Sequence, residues 1–265
     1  MSGSGEGFWA ALPLGRGVVL LACDCNGVAA FAKPSGTLSH PNKPGDEPRS
    51  LLRAPYDFDG EYYELGPRAV GRRADDPESP DADHTRRRLW LLNRLDSATS
   101  GVILAVSDEA LATVIRAQFK RKQIQKAYLA LVFGKPAKPA DLWRDRLAVE
   151  KQGGRIRTSM GAIPAESRMS VVRGGESRAP VSLIRLEPRT GRSHQLRVQC
   201  AHRGLPIVGD RTYGDFARNR EWAKRTGASR MFLHSFEIRF SYEFEGRTRE
   251  FVAQAPVPPE FEAFL

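Results

Sequence analysis

A chain of 265 residues with 41% hydrophobic and 27% charged side chains can bury a sizeable core, as one large domain or two small ones. Its formal net charge of +10 points to polyanions as partners, nucleic acid first and an acidic membrane surface second. No apolar run approaches the 18 or so residues that cross a bilayer, and Met1-Ser2-Gly3-Ser4-Gly5-Glu6-Gly7 has neither a cationic n-region nor an apolar signal core. These features give the expectation of a soluble cytoplasmic protein with no membrane partner.

Residues 1–16 read as a flexible N-terminal segment. Residues 18–22 and 28–32 are apolar and read as strands, and Lys33-Pro34-Ser35-Gly36 breaks the pattern. Cys23, Cys25 and Cys200 form no disulfide framework. The Cys23-Asp24-Cys25 spacing does not match a zinc knuckle, so buried thiols and no metal are expected. Residues 42–88 read as a long polar loop. They hold Gly71-Arg72-Arg73, the acidic run Asp75-Asp76-Pro77-Glu78-Ser79-Pro80-Asp81, and Arg86-Arg87-Arg88.

Leu89-Trp90-Leu91-Leu92 and Val102-Ile103-Leu104-Ala105-Val106 read as strands on either side of a polar turn. Ser107, able to cap, with Asp108 and Glu109 starts a helix carrying Leu111, Val114, Ile115 and Phe119 at helical spacing. It ends in Lys120-Arg121-Lys122. Residues 127–133 read as a buried strand, and the stretch to about residue 178 reads as polar loop. Residues 180–186 form another strand. Ser193 is placed to cap a helix from Gln195 to His202, ended by Gly204 with Pro206 beyond. From Phe232 to Tyr242 the residues alternate with period two, and Glu245-Gly246 can turn this strand into a hairpin. The pattern predicts an α+β fold on a mixed, mostly antiparallel sheet flanked by helices and loops.

The string Asn93-Arg94-Leu95-Asp96-Ser97-Ala98-Thr99-Ser100-Gly101 puts one carboxylate in the turn between two apolar runs. Such an acid is a turn-former or a catalyst, and aspartate is common in turns. Arg94 beside it, and the small hydroxyl-bearing residues after it, favour a substrate approaching this turn. A second constellation, Gly191-Arg192-Ser193-His194-Gln195-Leu196-Arg197, sets Arg197 near its helix's positive end, where an anion suits it. That anion could be a buried acid such as Asp96, which the ion pair would hold ionised.

These strings resemble the RluA family of RNA pseudouridine synthases. NRLDSATSG at 93–101 is similar to its HRLDxxTSG signature. Lys33-Pro34-Ser35-Gly36 with His40-Pro41 resembles its KPxG element, and Lys126-Ala127-Tyr128-Leu129-Ala130 its K-x-Y-x-A strand. TGRSHQLRVQ at 190–199 resembles TGRxHQ[IL]RxH. Gly204-Leu205-Pro206-Ile207-Val208-Gly209-Asp210 with Tyr213-Gly214 resembles GxPIxGDxxYG, and Leu233-His234-Ser235 a late LHA. The elements keep the family's order from residue 33 to residue 235.

The resemblance implies a catalytic domain over 17–265 that isomerises uridines in ribosomal or transfer RNA, with the target base flipped out and no cofactor. It implies that Asp96 is the catalytic aspartate, that Tyr128 packs beside the base and acts as a late base, and that Arg197 pairs with Asp96. Arg94 would enter the RNA, and Arg192, His194, Gln195 and Lys33 would bind or brace the substrate. A monomer is expected, without the separate S4 domain of many relatives. Asn93 and Gln199 stand where the family usually has histidine, keeping hydrogen-bonding capacity without a titratable group. The basic stretch Arg218, Arg220, Lys224, Arg225 and Arg230, with Trp222, is a candidate RNA contact or a solvated helix.

Three other readings compete. A catalytically inactive RNA-binding protein on the same fold would have no need of Asp96. A glycosidase-like hydrolase needs a second carboxylate in a comparable setting, and the sequence offers arginines there. A basic scaffold without activity is compatible with charge alone.

Overall fold

The computed structural model describes residues 4–66, 87–152, 155–174 and 181–262. Most of the expected loop's charge runs, from Gly71 to Arg86, lie outside the described residues. The chain divides into two compact units, one of residues 1–123 and 239–255, the other of residues 124–238 and 256–265.

The first unit begins with a short helix, α1 (Ser4–Ala10), where a flexible segment was expected. Trp9 is the reason: it is 1% exposed, its ring edge-on to Phe31 at 6.2 Å. Burying an indole stabilises by a few kcal/mol, enough to seat one turn of helix. β1 (Val19–Cys23) and β2 (Val28–Lys33) form a hairpin. Its turn is set by Asp24, whose Oδ1 accepts from the N–H groups of Asn26 and Val28 at 3.0 and 2.9 Å.

β2 pairs with β6 (Ser100–Val106), buried along its whole length. β6 pairs on with β5 (Arg87–Leu91), β4 (Tyr62–Leu65) and β3 (Tyr56–Asp57), giving the order β1-β2-β6-β5-β4-β3 with every pair antiparallel. The residue range expected as loop therefore supplies two strands before residue 66. Their apolar content, Tyr63 and Leu65, is too short to announce itself by periodicity. α2 (Glu109–Lys120) buries Leu111 and Ile115 of the four residues read at helical spacing, together with Ala112, and leaves Val114 and Phe119 half-buried. Its cap is Asp108, not Ser107: the Asp108 carboxylate accepts from Leu111 N–H at 2.7 Å.

β12 (Leu233–Phe244) contributes its second half to this unit and turns into β13 (Arg247–Gln254) through Glu245 and Gly246, both at positive φ. Ile238, Phe240 and Tyr242 are buried while Arg239, Ser241 and Glu243 are exposed, the alternation read from the sequence.

The second unit is an antiparallel array in the order β7-β11-β10-β8-β9. The strands are β7 (Gln125–Phe133), β8 (Ala140–Gln152), β9 (Arg155–Met160), β10 (Ile163–Gly174) and β11 (Val181–Pro188). The stretch expected as polar loop to residue 178 is thus three long strands. Trp143, Leu147, Ala165 and Met169 are buried, and each has a charged neighbour (Arg144, Arg146, Glu166, Arg168), so the run looks polar on average. Helices α3 (Gln195–His202), α4 (Phe216–Thr226) and α5 (Pro259–Glu262) complete the unit.

All of the basic stretch but Arg230 lies on α4, capped by Asp215 and ended by Gly227 in the left-handed conformation, and Arg230 beyond it is largely buried beside Glu260. It buries Trp222 against Phe133 and Phe232 and leaves Arg220, Lys224 and Arg225 exposed. Cys200 is buried as expected, but Cys25 is exposed. No helix among the described residues is long and apolar enough to cross a membrane. The observed class is the expected α+β, dominated by antiparallel pairing.

Candidate functional site

The Asp96 turn leaves the sheet at Asn93. The last backbone bond of β5 against β6 is Leu92 N–H to Leu104 C=O at 3.0 Å. The Asn93 side chain continues the ladder: its Oδ1 accepts from Leu104 N–H at 2.7 Å and its Nδ2 donates to Val102 C=O at 3.2 Å. A side-chain amide copies the donor–acceptor pair of a peptide, which accounts for asparagine at a position where the resembled family uses histidine. Leu95 plugs back into the core at 9% exposure, Asp96 is half-buried, and Thr99 N–H closes the turn on Asp96 C=O at 3.0 Å.

The 33–39 segment brackets this turn. Ser39 Oγ donates to Leu95 C=O at 2.8 Å and accepts from Leu95 N–H at 2.9 Å. Gly36 N–H donates to Ser97 C=O at 2.7 Å, and Ser35 Oγ to Ala98 C=O at 2.8 Å. The backbone on each side of the half-buried Asp96 is therefore held. Each such bond contributes about 1 kcal/mol net, and leaving one of these buried groups unpaired costs about 1–3 kcal/mol.

Lys33 has a place other than the one expected. It is 1% exposed, and its Nζ donates to the carbonyls of Thr37 at 2.7 Å, Pro34 at 3.1 Å and Ser97 at 3.1 Å. An ammonium so enclosed braces the loop and offers no surface to a substrate. Arg94 is the opposite case: its side chain is 61% exposed, with Glu61 Oε1 at 3.7 Å. Arg116 reaches the other Glu61 oxygen at 3.5 Å.

On the second unit, the start of α3 gathers Arg192, His194, Gln195 and Arg197. Ser193 does not cap the helix. His194 occupies the cap position in the left-handed conformation, φ 54°, with no side-chain cap bond. Gln195 instead ties down the turn before the helix: its Oε1 accepts from Arg192 N–H at 3.1 Å and from Thr190 Oγ1 at 2.7 Å. Its Nε2 donates to Glu166 C=O, Ser167 Oγ and Gln199 Oε1. Gln199, fully buried, accepts from Ser167 Oγ at 2.8 Å and donates to Asp145 Oδ2 at 2.8 Å. Two neutral amides one helical turn apart thus bolt α3 to β8 and β10. Arg192 is exposed, its Nε on Pro164 C=O at 3.4 Å. Tyr128 lies half-buried on β7, opposite Leu186 of β11.

Arg197 is 7% exposed and forks onto Asp210, Nε to Oδ2 at 2.8 Å and Nη2 to Oδ1 at 2.7 Å. Asp210 Oδ1 also accepts from the N–H groups of Thr212 and Tyr213 at 2.8 and 3.1 Å. Burial by itself would raise the Asp210 pKa. The Arg197 fork and the two amides outweigh it and hold the carboxyl below its ordinary range. The Tyr213 ring lies 5.0 Å under the Arg197 guanidinium. The Tyr213 hydroxyl accepts from Thr158 N–H at 2.8 Å and meets His194 Nδ1 at 2.8 Å, which fixes the His194 ring.

The structure brings Lys33, Arg94 and Asp96 together on the first unit, and Arg192, His194, Gln195 and Arg197 on the second. Ser39, Asp210 and Tyr213 are additions. Asp210 and Tyr213 fall inside the string at 204–214 that the sequence singles out, so a motif was the available signal. Nothing local marked Ser39.

A model of the RNA pseudouridylate synthase family matches residues 27–202. The tRNA pseudouridine synthase C of Yersinia pestis is 32% identical over 186 residues, 66% of this chain and 72% of that protein. The ribosomal large subunit pseudouridine synthase C of Pasteurella multocida is 36% identical over 196 residues, 70% of this chain. The match spans only 55% of that relative's own length. Among solved structures, human RNA pseudouridylate synthase domain containing 1 aligns with a TM-score of 0.63 at 22% identity, over 94% of this chain and 87% of that one, a likeness of fold. With the family match running from the β1–β2 turn through the Asp96 loop to the end of α3, the chain belongs to the RNA pseudouridylate synthase family.

Proposed function

We propose that this protein converts uridine in RNA to pseudouridine and that Asp96 carries the reaction. The observation that carries the proposal is the Asp96 loop: a half-buried aspartate whose flanking peptides are fixed by Ser35, Gly36 and Ser39. Preorganised geometry of this kind is what a reacting group needs. A carboxylate serving only to shape a turn would not call for a bracket on the peptides around it.

The reaction is an isomerisation. The N1–C1′ bond breaks, the uracil turns while held, and C5 bonds to C1′. C5 gives up its proton and N1 gains one, so there is no net redox change and no water is consumed. An ionised aspartate serves either as a nucleophile on the nucleotide or as a base toward a ribose proton. In the same reading Tyr128 lies against the uracil ring and Arg197 supplies positive charge to the aspartate. Arg94, exposed beside Asp96, enters the RNA and holds the target nucleotide out, offsetting the few kcal/mol that extrusion costs. Arg192 and His194 contact the substrate, with Gln195 holding their helix. The net charge of +10 suits an RNA partner, since phosphate contacts dominate nucleic-acid affinity. The relatives' names point to transfer RNA or large-subunit ribosomal RNA as the substrate class.

The test is a map of pseudouridine in total RNA from cells with and without the gene, complemented by wild type or by Asp96→Asn. At least one site should vanish with the gene, return with wild type and stay absent with Asp96→Asn. If no site vanishes and purified protein leaves transfer and ribosomal RNA unmodified, the enzymatic reading is wrong. Retained RNA binding would then leave the inactive binding protein as the account.

A further inference from the structure

A cluster of rings sits on the first unit beside the Asp96 loop, and the proposed reaction does not use it. His40 and Tyr56 stack face to face, centroids 4.7 Å apart and planes 9° from parallel. Phe58 stands edge-on to both, at 6.0 Å and 86° to His40 and 5.4 Å and 84° to Tyr56. Phe58 is 50% exposed, at the tip of the β3–β4 hairpin. The tip is built to stay put. Asp57 Oδ1 accepts from Gly60 N–H at 2.6 Å, Glu61 takes the left-handed conformation at φ 54°, and Arg116 donates to its carbonyl at 3.3 Å.

We propose that His40, Tyr56 and Phe58 form a stacking platform for an unpaired RNA base neighbouring the target uridine. The proposal rests on the assignment of RNA as substrate and of Asp96 as its reacting group. Three observations carry it. The platform and the catalytic loop share one anchor: Ser39 holds Leu95 while Tyr63 Oη donates to Ser39 C=O at 2.8 Å, and His40 and Asp96 are the next residues along each strand of that tie. The Tyr63 ring also packs on Tyr56 at 4.9 Å. Second, Arg94 and Arg116 stand beside the rings on Glu61, and Arg94, its side chain 61% exposed, is the cation open to a phosphate on this side, with Asp57 and Asp59 of the hairpin tip on the other. Third, one exposed ring with cations beside it matches a single nucleobase. It falls far short of the roughly 800 Å² per partner of a protein interface. Burial lowers the His40 pKa and pushes Tyr56 up to about 12.

The experiment uses the full-length protein and a short oligouridylate carrying one central 2-aminopurine, whose fluorescence falls when the base stacks. Wild type, Asp96→Asn and Phe58→Tyr should all quench the probe. Phe58→Ala should lose the quenching and bind roughly fivefold to a hundredfold more weakly, the range seen when a stacking side chain is truncated. Absence of quenching by wild type, or equal quenching and affinity in Phe58→Ala, overturns the platform. Failure of the catalytic assignment is read separately, as pseudouridine still formed by Asp96→Asn.

Discussion

Ser39 grips Leu95 by both of its backbone polar groups, donating to the carbonyl at 2.8 Å and accepting from the N–H at 2.9 Å. The hydroxyl thereby replaces a strand partner for one residue, and that residue is the neighbour of Asp96. The backbone next to the proposed reacting residue is thus held by a side chain distant in the sequence.

Ser39→Ala leaves the Leu95 N–H and C=O, both buried, without that partner. The expected cost is about 1–3 kcal/mol of stability, seen in urea unfolding. Pseudouridine formation should fall about tenfold to a hundredfold, because small displacements of a reacting group are costly. Normal turnover in a destabilised variant would show that the grip does not position Asp96.

Asp210→Asn strips the buried Arg197 of its carboxylate, with an expected loss of about 3–5 kcal/mol at neutral pH. The pH dependence follows from the lowered Asp210 pKa. Its contribution is fully present above the unfolded value, 3.8, and is lost as pH falls through the lower folded value. Denaturant melts across acid pH should therefore show a steeper acid decline in wild type than in Asp210→Asn. Parallel curves would mean that the pair does not contribute in this way.

Gly209 sits at φ +77°, and a Cβ there would lie 1.8 Å from Arg230 C=O. Gly227 has a similar φ of +71° with nothing near a Cβ. Gly227→Ala should cost about 1 kcal/mol, for conformation alone. Gly209→Ala adds a backbone clash and should lower the melting temperature much further. Equal melting temperatures would contradict the packing described around the Asp210 loop.

Gln199→Leu removes the acceptor of Ser167 and a donor to Asp145 inside the second unit. A loss of about 1–3 kcal/mol is expected, with faster amide exchange confined to residues 195–202 and their strand partners. Uniform exchange across the unit would assign the amide a global role instead of a local one.

What the sequence made legible follows from range. Elements with a local signal were readable: 28–32 and 102–106 as unbroken apolar runs, and α2 through Leu111 and Ile115 at helical spacing. β8 to β10 were not, because the charged neighbours Arg144, Arg146 and Arg168 hide the buried Trp143, Leu147 and Met169. Arg197 stood out, but its fork onto Asp210 depends on a loop thirteen residues on. Lys33 was read as a substrate contact because nothing local announces that three carbonyls enclose it.

That enclosure makes Lys33 a chemical clock. At 1% exposure its amine is closed to acylating reagents in water until the segment around it opens. The rate at which Lys33 is labelled, set against that of an exposed lysine such as Lys138, therefore measures how often the Asp96 loop comes undone. An RNA that tightens the loop on binding would slow that one lysine selectively.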